Sequence, residues 1–141
     1  MATPLVLDSI SKLVSNALEQ ARSDGLLQLD TMPDIMVERP ANPENGDFAT
    51  NLPLRLARAT RINPLELAEE LVKRIKTGDE VERVVAAPPG FINFYLRDSW
   101  VQLQVETITD AGLDFGDVAM GQGRTVMIEF VSVNPTGPVH V

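Results

Sequence analysis

The sequence predicts an α+β domain in which about four helices pack with a small, mostly antiparallel sheet. Three observations predict this class. Apolar residues recur at three- to four-residue spacing in several segments, two β-rich runs flank a turn at residues 88–90, and the elements follow as αβααββα without an internal repeat. The length of 141 residues corresponds to about one domain, and 44% hydrophobic with 23% charged residues is typical of globular chains.

The composition excludes several classes of function. Cysteine is absent from the sequence, which excludes disulfides, thiol catalysis and cysteine-ligated zinc, and we predict no metal site. No apolar run approaches the roughly 20 residues that span a bilayer, and no basic leader precedes an apolar run near Met1. These features are expected of a cytoplasmic protein without a membrane-embedded part.

The net charge of −8 disfavours broad binding to nucleic acid, because phosphate contacts require an excess of Lys and Arg. The charge is unevenly distributed. Residues 39–76 contain seven basic and five acidic side chains, whereas residues 98–120 contain five acidic and no basic ones. Any RNA contact is therefore expected to be local, and to depend on shape or on one unstacked base.

Start and stop signals define the first helix. Thr3 can cap it with Pro4 at the first helical position, apolar residues then recur at helical spacing, and Asp24-Gly25 ends it. Residues 34–39 are a short strand candidate. Residues 41–46 are rich in turn formers and predict a loop.

Two consecutive helices are predicted in the middle of the chain. Asp47 can cap the first, with Asn51 as a polar residue of its first turn. The apolar residues assigned to its inner face are Phe48, Ala49, Leu52, Leu56 and Ala59. Asn63 followed by Pro64 is a strong start signal for the second helix, which Gly78 ends.

Two β-rich runs, residues 81–87 and 91–97, are separated by Pro88-Pro89-Gly90 and predict a hairpin-like connection. Because successive side chains of a strand alternate in direction, the second run has two faces. One face carries Phe91, Asn93 and Tyr95, and the other carries Ile92, Phe94 and Leu96.

A last helix, a linker and a strand are predicted after the hairpin. Asp98 or Ser99 caps the helix, which extends to about Ala111, and residues 112–123 hold four glycines and predict a linker. Residues 125–133 are nearly continuously apolar, as expected of a central parallel strand covered on both faces.

Four motifs carry a resemblance to a known family. They are Gly46-Asp47-Phe48-Ala49-Thr50-Asn51, the Asn63-Pro64 helix start, Pro89-Gly90-Phe91-Ile92-Asn93-Phe94 and Ser132-Val133-Asn134-Pro135-Thr136-Gly137-Pro138-Val139-His140. Together they resemble the N-terminal additional domain of bacterial arginyl-tRNA synthetases, followed by the opening of the class I catalytic domain. The resemblance implies a tRNA-binding domain at 1–115, a linker at 116–123, and the orphan first strand of a Rossmann-type domain at 124–141.

The resemblance implies a role in tRNA recognition for one face of the second β-rich run. Phe91 and Asn93 match the family positions that contact one base of the D-loop of tRNA(Arg), the ring by stacking and the amide by pairing with the base edge. The alternative is that Phe91 is a core residue and Asn93 satisfies a neighbouring backbone group. Arg55, Arg58 and Lys76 are candidate phosphate contacts, although a solvated helix face is favoured over that role by roughly two to one.

The last motif implies a catalytic site that is incomplete in this chain. Glu129, Ser132 and Asn134 match positions that bind the arginine substrate, and His140 matches the first histidine of the H-x-G-H signature, which stabilises ATP phosphates. We expect an N-terminal piece of a longer, monomeric enzyme that joins arginine to its tRNA using ATP with Mg²⁺. The piece itself is expected to hold no cofactor and to be inactive.

A binding module of another class is the rival interpretation. Phe91 and Tyr95 would then belong to a protein-interaction or dimerisation surface, which the net charge of −8 favours. The apolar strand candidate at 125–133 is a template for edge pairing, so self-association of the chain is also expected. An independent nucleotide-binding enzyme is excluded because the sequence holds no complete phosphate loop or catalytic set.

Overall fold

The computed structural model of the protein describes residues 6–29, 31–116, 121 and 123–130. Within them the helices and strands follow in the order α1 (Val6–Ser23), β1 (Phe48–Thr50), α2 (Leu52–Thr60), α3 (Pro64–Val72), β2 (Val81–Ala87), β3 (Phe91–Leu96) and α4 (Asp98–Ala111). Short 3₁₀ turns lie at Pro43–Asn45 and Gly112–Gly116. In this part of the chain, no helix combines the length and the apolar character that a membrane crossing requires.

The three strands form one antiparallel sheet in the order β1-β3-β2, which confirms the predicted fold class. The strand candidate at 34–39 is reduced to a single bridge, in which Glu38 pairs with Ala49. In the registers, Ala49 also pairs with Asn93, and Asn93 pairs with Val85. Because paired residues project to the same side, these four side chains form one row across one face of the sheet.

The hydrophobic core lies on the other face of the sheet, between the strands and the first three helices. Phe94 is its largest fully buried side chain and is surrounded by apolar residues of α1, α2 and α3. The fully buried core residues of these helices include Ile10, Val14, Leu18, Leu52, Leu67 and Leu71. Each such aliphatic or aromatic side chain contributes roughly 1.5–3 kcal/mol by leaving water, so the core fixes which face of β3 points outward.

The G-D-F-A-T-N segment differs from the prediction, because it begins with a strand rather than a helix. The backbone N–H of Asp47 donates to Phe94 O (2.9 Å), and its carboxylate accepts from Leu96 N–H (2.8 Å). Asp47 therefore fastens β1 to β3 and does not cap α2. Asn51 occupies the N-cap position but forms no capping hydrogen bond, and its Oδ1 is buried without a partner among the described residues. Helix periodicity alone did not show that Phe48 would pair with β3.

The signal at the start of α3 is confirmed. The side-chain oxygen of Asn63 accepts from Leu65 N–H (2.9 Å) and Glu66 N–H (3.4 Å), with Pro64 at the first helical position. This arrangement satisfies two backbone donors that a helix start otherwise leaves unpaired. It also sets where α3 begins relative to the hairpin, since Pro64 lies directly against Gly90.

The C-terminal part of the described chain packs differently from the predicted strand. Helix α4 covers the predicted range, but its N-cap is Arg97 without a side-chain capping hydrogen bond rather than Asp98 or Ser99. The helix has no buried residue. Residues 124–130 form no strand and are exposed, so the strand predicted at 125–133 is absent over its described part, and 131–133 lie outside the described residues. A doubly covered strand needs a neighbouring strand on each side, and the described residues provide none beside this segment.

Candidate nucleic-acid interface

A recess of about 530 Å³ opens on the face of the sheet that points away from the core. The sheet contributes Ala49, Ala87, Phe91 and Asn93 to its lining. Residues 38–42 and Asn45, together with Pro88, form the rest of the wall. Glu38, Ala49 and Asn93 follow one another in the cross-strand row, and all three line the recess.

Asn93 is the polar residue that the sheet contributes to the lining of this recess. The residue is only 4% exposed, yet its side chain makes no hydrogen bond with any described residue. An amide can donate two hydrogen bonds and accept two, and the Asn93 amide atoms are not closed off from solvent, so they are open to a partner from the recess. The alternative in which Asn93 satisfies a neighbouring backbone group is therefore not what the structure has.

Phe91 forms a wall of the same recess and lies outside the buried core cluster. It is half-buried, so part of the ring is available to a ligand. Its position depends on Gly90, because a Cβ at that residue would lie 2.5 Å from Pro64 Cβ, and the hairpin can approach α3 this closely only with glycine. Phe91 and Asn93 project to the same side of β3, as the strand alternation predicted.

The loop that forms the other wall is tied down by several hydrogen bonds. The Tyr95 hydroxyl donates to Glu44 O (2.9 Å), and the Asn42 side chain accepts from Glu44 N–H (3.1 Å). Gly46 then brings the chain so close to β3 that a Cβ would lie 2.6 Å from Phe94 O. Hydrogen bonds and this close approach therefore hold residues 42–46 at the rim of the recess.

The basic residues predicted from the sequence do not line the recess. Arg55 donates from Nη1 to Asp34 O (2.8 Å), which gives it a structural role. Arg58 is exposed on α2, and Lys76 lines a separate, smaller depression beside α1. The structure therefore brings Phe91 and Asn93 together, but none of these three cations with them.

Two basic residues at the end of α3 are paired with acidic residues within the fold. Lys73 and Arg74 both pair with Glu70, and Arg74 also pairs with Asp24 at 3.1 Å. Hydrogen bonds from Lys73 and then Arg74 lower the pKa of the Glu70 carboxyl from its ordinary value. These cations are thus neutralised within the fold and leave little charge for a polyanion.

Sequence reasoning missed the polar side of the recess wall. Asn42 and Asn45 were assigned only to a loop of turn formers, and Ala49 to a helix face. Glu38, which also lines the recess, had no motif to distinguish it. The turn-forming residues predicted a loop at 41–46. They did not predict the pairing of Glu38 with Ala49 and of Ala49 with Asn93, which brings this loop beside β3.

The residues predicted for catalysis do not form a described site. Glu129 is exposed in an irregular segment and forms no ion pair with the described residues. Ser132, Asn134 and His140 lie outside the described residues. Among the residues that are described, no group of three acidic or histidine side chains is placed to hold a metal ion.

The structure is a small α+β domain with a recess on the outward face of its sheet, where an aromatic ring and an amide without a described partner lie side by side. The chain belongs to the family described as the arginyl tRNA synthetase N terminal domain, whose model matches residues 8–96. This confirms the family that the sequence motifs indicated, although the residue roles are not tested by the match.

Similar proteins agree on the family and on its position in a longer chain. An arginine–tRNA ligase of Dehalococcoides mccartyi is 46% identical over 138 residues, which cover 97% of this chain and 24% of the relative. This chain thus spans about a quarter of the length of that relative. Two solved structures share the fold: Thermus thermophilus arginyl-tRNA synthetase (TM-score 0.59, 23% identity, 71% of this chain and 15% of that one) and Plasmodium falciparum arginyl-tRNA synthetase (0.64, 15%, 77% and 19%).

Proposed function

We propose that this chain is the tRNA-binding N-terminal part of an arginine–tRNA ligase, and that its recess receives one unstacked base from the D-loop of tRNA(Arg). The observation that carries the proposal is the Asn93 amide, which is 4% exposed, unpaired within the described residues and adjacent to Phe91. A ligand that fills the recess displaces water from this amide and must supply hydrogen bonds in its place.

The two side chains suit a base better than a phosphate. A base is planar, so Phe91 can stack on it while the amide pairs with its edge, and stacking on an aromatic ring is worth roughly 1–3 kcal/mol per base. A base whose edge does not match leaves the buried amide unpaired, which provides discrimination. Glu38 and Arg39 are the charged residues of the lining, so the recess as a whole is neutral.

The parent activity is part of the same proposal. The arginine–tRNA ligases that this chain matches are about four times as long, and we propose that 1–115 is the tRNA-binding unit, 116–123 the linker and 124–141 the start of the nucleotide-binding unit. Glu129, Ser132 and Asn134 would contact arginine in the whole enzyme. His140 would contact the phosphates of ATP, which is a substrate together with Mg²⁺.

Nearly isosteric substitutions of two asparagines test the base-binding role. In Asn93→Asp the amide donor is removed and a negative charge is placed in the recess, whereas Asn16→Asp makes the same change on an exposed part of α1. We expect the first to weaken binding of a tRNA(Arg) transcript by at least tenfold and the second to have little effect. Binding is measured by fluorescence anisotropy, with the melting temperature as the control for folding.

A substitution of the ring provides the second half of this test. Phe91→Ala should reduce discrimination between transcripts that differ at the D-loop base by roughly 1–3 kcal/mol. Equal affinities for all transcripts with the unaltered chain would contradict the proposal. Global unfolding of the Phe91→Ala chain would instead assign Phe91 to the core.

A protein-interaction role is favoured by a different observation. Helix α4 buries none of its residues, and the exposed Val101, Val105 and Ile108 follow at i, i+4 and i+7 spacing, so they share one face of the helix. Contiguous exposed apolar surface marks contact sites for other protein surfaces. Sedimentation of the chain at increasing concentration tests this second candidate, because a strictly monomeric chain would contradict a dimerisation surface.

A further inference from the structure

A second feature of the outward sheet face is a cation stacked on a ring. Arg83 pairs with Tyr95 across β2 and β3, and its guanidinium carbon lies 3.7 Å from the centre of the Tyr95 ring. The pair Val85 and Asn93 is the next on the same face, so Arg83 and Tyr95 lie beside the recess. Two residues along a strand correspond to about 7 Å.

Arg83 has unused hydrogen-bonding capacity, in contrast to several other basic residues. Arg74 is paired with Glu70, while Arg55 and Arg97 donate to backbone carbonyl groups. Arg83 forms neither an ion pair nor a hydrogen bond with a described residue. A guanidinium stacked on a ring keeps its N–H donors at its periphery, where they match a phosphate group.

The Tyr95 ring is itself held in place, which fixes the cation. The hydroxyl of Tyr95 donates to Glu44 O, a carbonyl of the loop that borders the recess. Arg83 is therefore supported by a side chain that spans from β3 to the recess wall.

We propose that Arg83 binds a backbone phosphate next to the base that enters the recess, and that this contact orients the RNA strand across the sheet. The phosphate lies on the β2 side, at Arg83, and the base lies between Phe91 and Asn93. This inference rests on the proposed function, since it requires RNA at the recess. The candidate phosphate contact is then Arg83, which lies on the same face as the recess, and not Arg55, Arg58 or Lys76.

The salt dependence of tRNA binding tests the inference in the full 141-residue chain. Removal of one phosphate-binding cation lowers the slope of log K against log salt concentration by about 0.7–0.9, which corresponds to about five- to eightfold in affinity at roughly 0.1 M salt. We expect this change for Arg83→Gln. Arg83→Lys retains the charge, so the slope for this variant should equal that of the unaltered chain. Its affinity for tRNA should fall less than that of Arg83→Gln.

Arg58→Gln is the matched control, because Arg58 is an exposed arginine on α2 that does not line the recess. We expect its slope to equal that of the unaltered chain. The affinity ratio between D-loop base variants should also be unchanged in Arg83→Gln, because a phosphate contact carries no base information. A merely structural role for Arg83 would instead lower the melting temperature and leave the salt slope unchanged.

The outcomes separate this inference from the proposed function. An unchanged slope in Arg83→Gln, or an equal reduction in Arg58→Gln, overturns the phosphate contact while leaving the effects of Asn93 and Phe91 intact. Absence of tRNA binding by the unaltered chain, or indifference of binding to Asn93→Asp, overturns the proposed function and with it this inference.

Discussion

Replacement of Gly46 by alanine should be among the most damaging single methyl additions in this fold. Gly46 has φ 94° and ψ −174°, a region that is essentially restricted to glycine and costs other residues about 1–3 kcal/mol. The added Cβ would also lie 2.6 Å from Phe94 O, a backbone atom that accepts the hydrogen bond of Asp47. Relieving such overpacking costs about 1–3 kcal/mol more.

We therefore expect Gly46→Ala to lower the free energy of unfolding by about 4 kcal/mol. Gly25→Ala is the matched control, because Gly25 also has a positive φ of 78°, but no atom lies within 4 Å of the position that the added methyl group would take. The control should show only the conformational cost, about 1–2 kcal/mol. The difference between the two variants isolates the contact with β3.

Urea unfolding followed by circular dichroism measures the free energy of unfolding of both variants. The comparison requires that this free energy falls with urea concentration at the same slope in each variant. A Gly46→Ala chain that is unfolded without urea, beside a folded Gly25→Ala chain, agrees with the expectation. Equal destabilisation of the two variants would refute the argument that close packing of residues 45–47 on β3 supports the recess.

Two further predictions concern helix capping and the C-terminal segment. Asn63→Ala should cost about 1 kcal/mol in thermal or urea unfolding because two capping hydrogen bonds are removed. Asn51→Ala should not destabilise the fold, because Asn51 forms no capping bond and its Oδ1 is buried without a partner among the described residues. Equal destabilisation by the two substitutions would contradict this assignment. Deletion of residues 124–141 should reduce self-association in sedimentation experiments without lowering the melting temperature, because Met127 and Phe130 are 94% and 90% exposed. A cooperative drop in stability would show that the segment belongs to the core.

Local signals in the sequence determined much of the fold. The Asn63-Pro64 start, the turn at 88–90 and the alternation along β3 depend on neighbouring residues, and each is present as predicted. The motifs around Phe91 and Asn93 also identified the family, which the match over residues 8–96 confirms. These features are readable because capping, turn formation and strand alternation are set within a few residues.

Contacts between distant segments decided what the sequence left open. Asp47 links β1 to β3 through hydrogen bonds with Phe94 and Leu96. Local sequence could not predict this role, because both partners lie far along the chain. The recess likewise exists only because Glu38 and Ala49 come into register with Asn93. Residues 125–130 have the composition of a buried strand, but without neighbouring strands among the described residues this composition produces none. Pairing and burial depend on partners, and the partners are chosen by the tertiary structure.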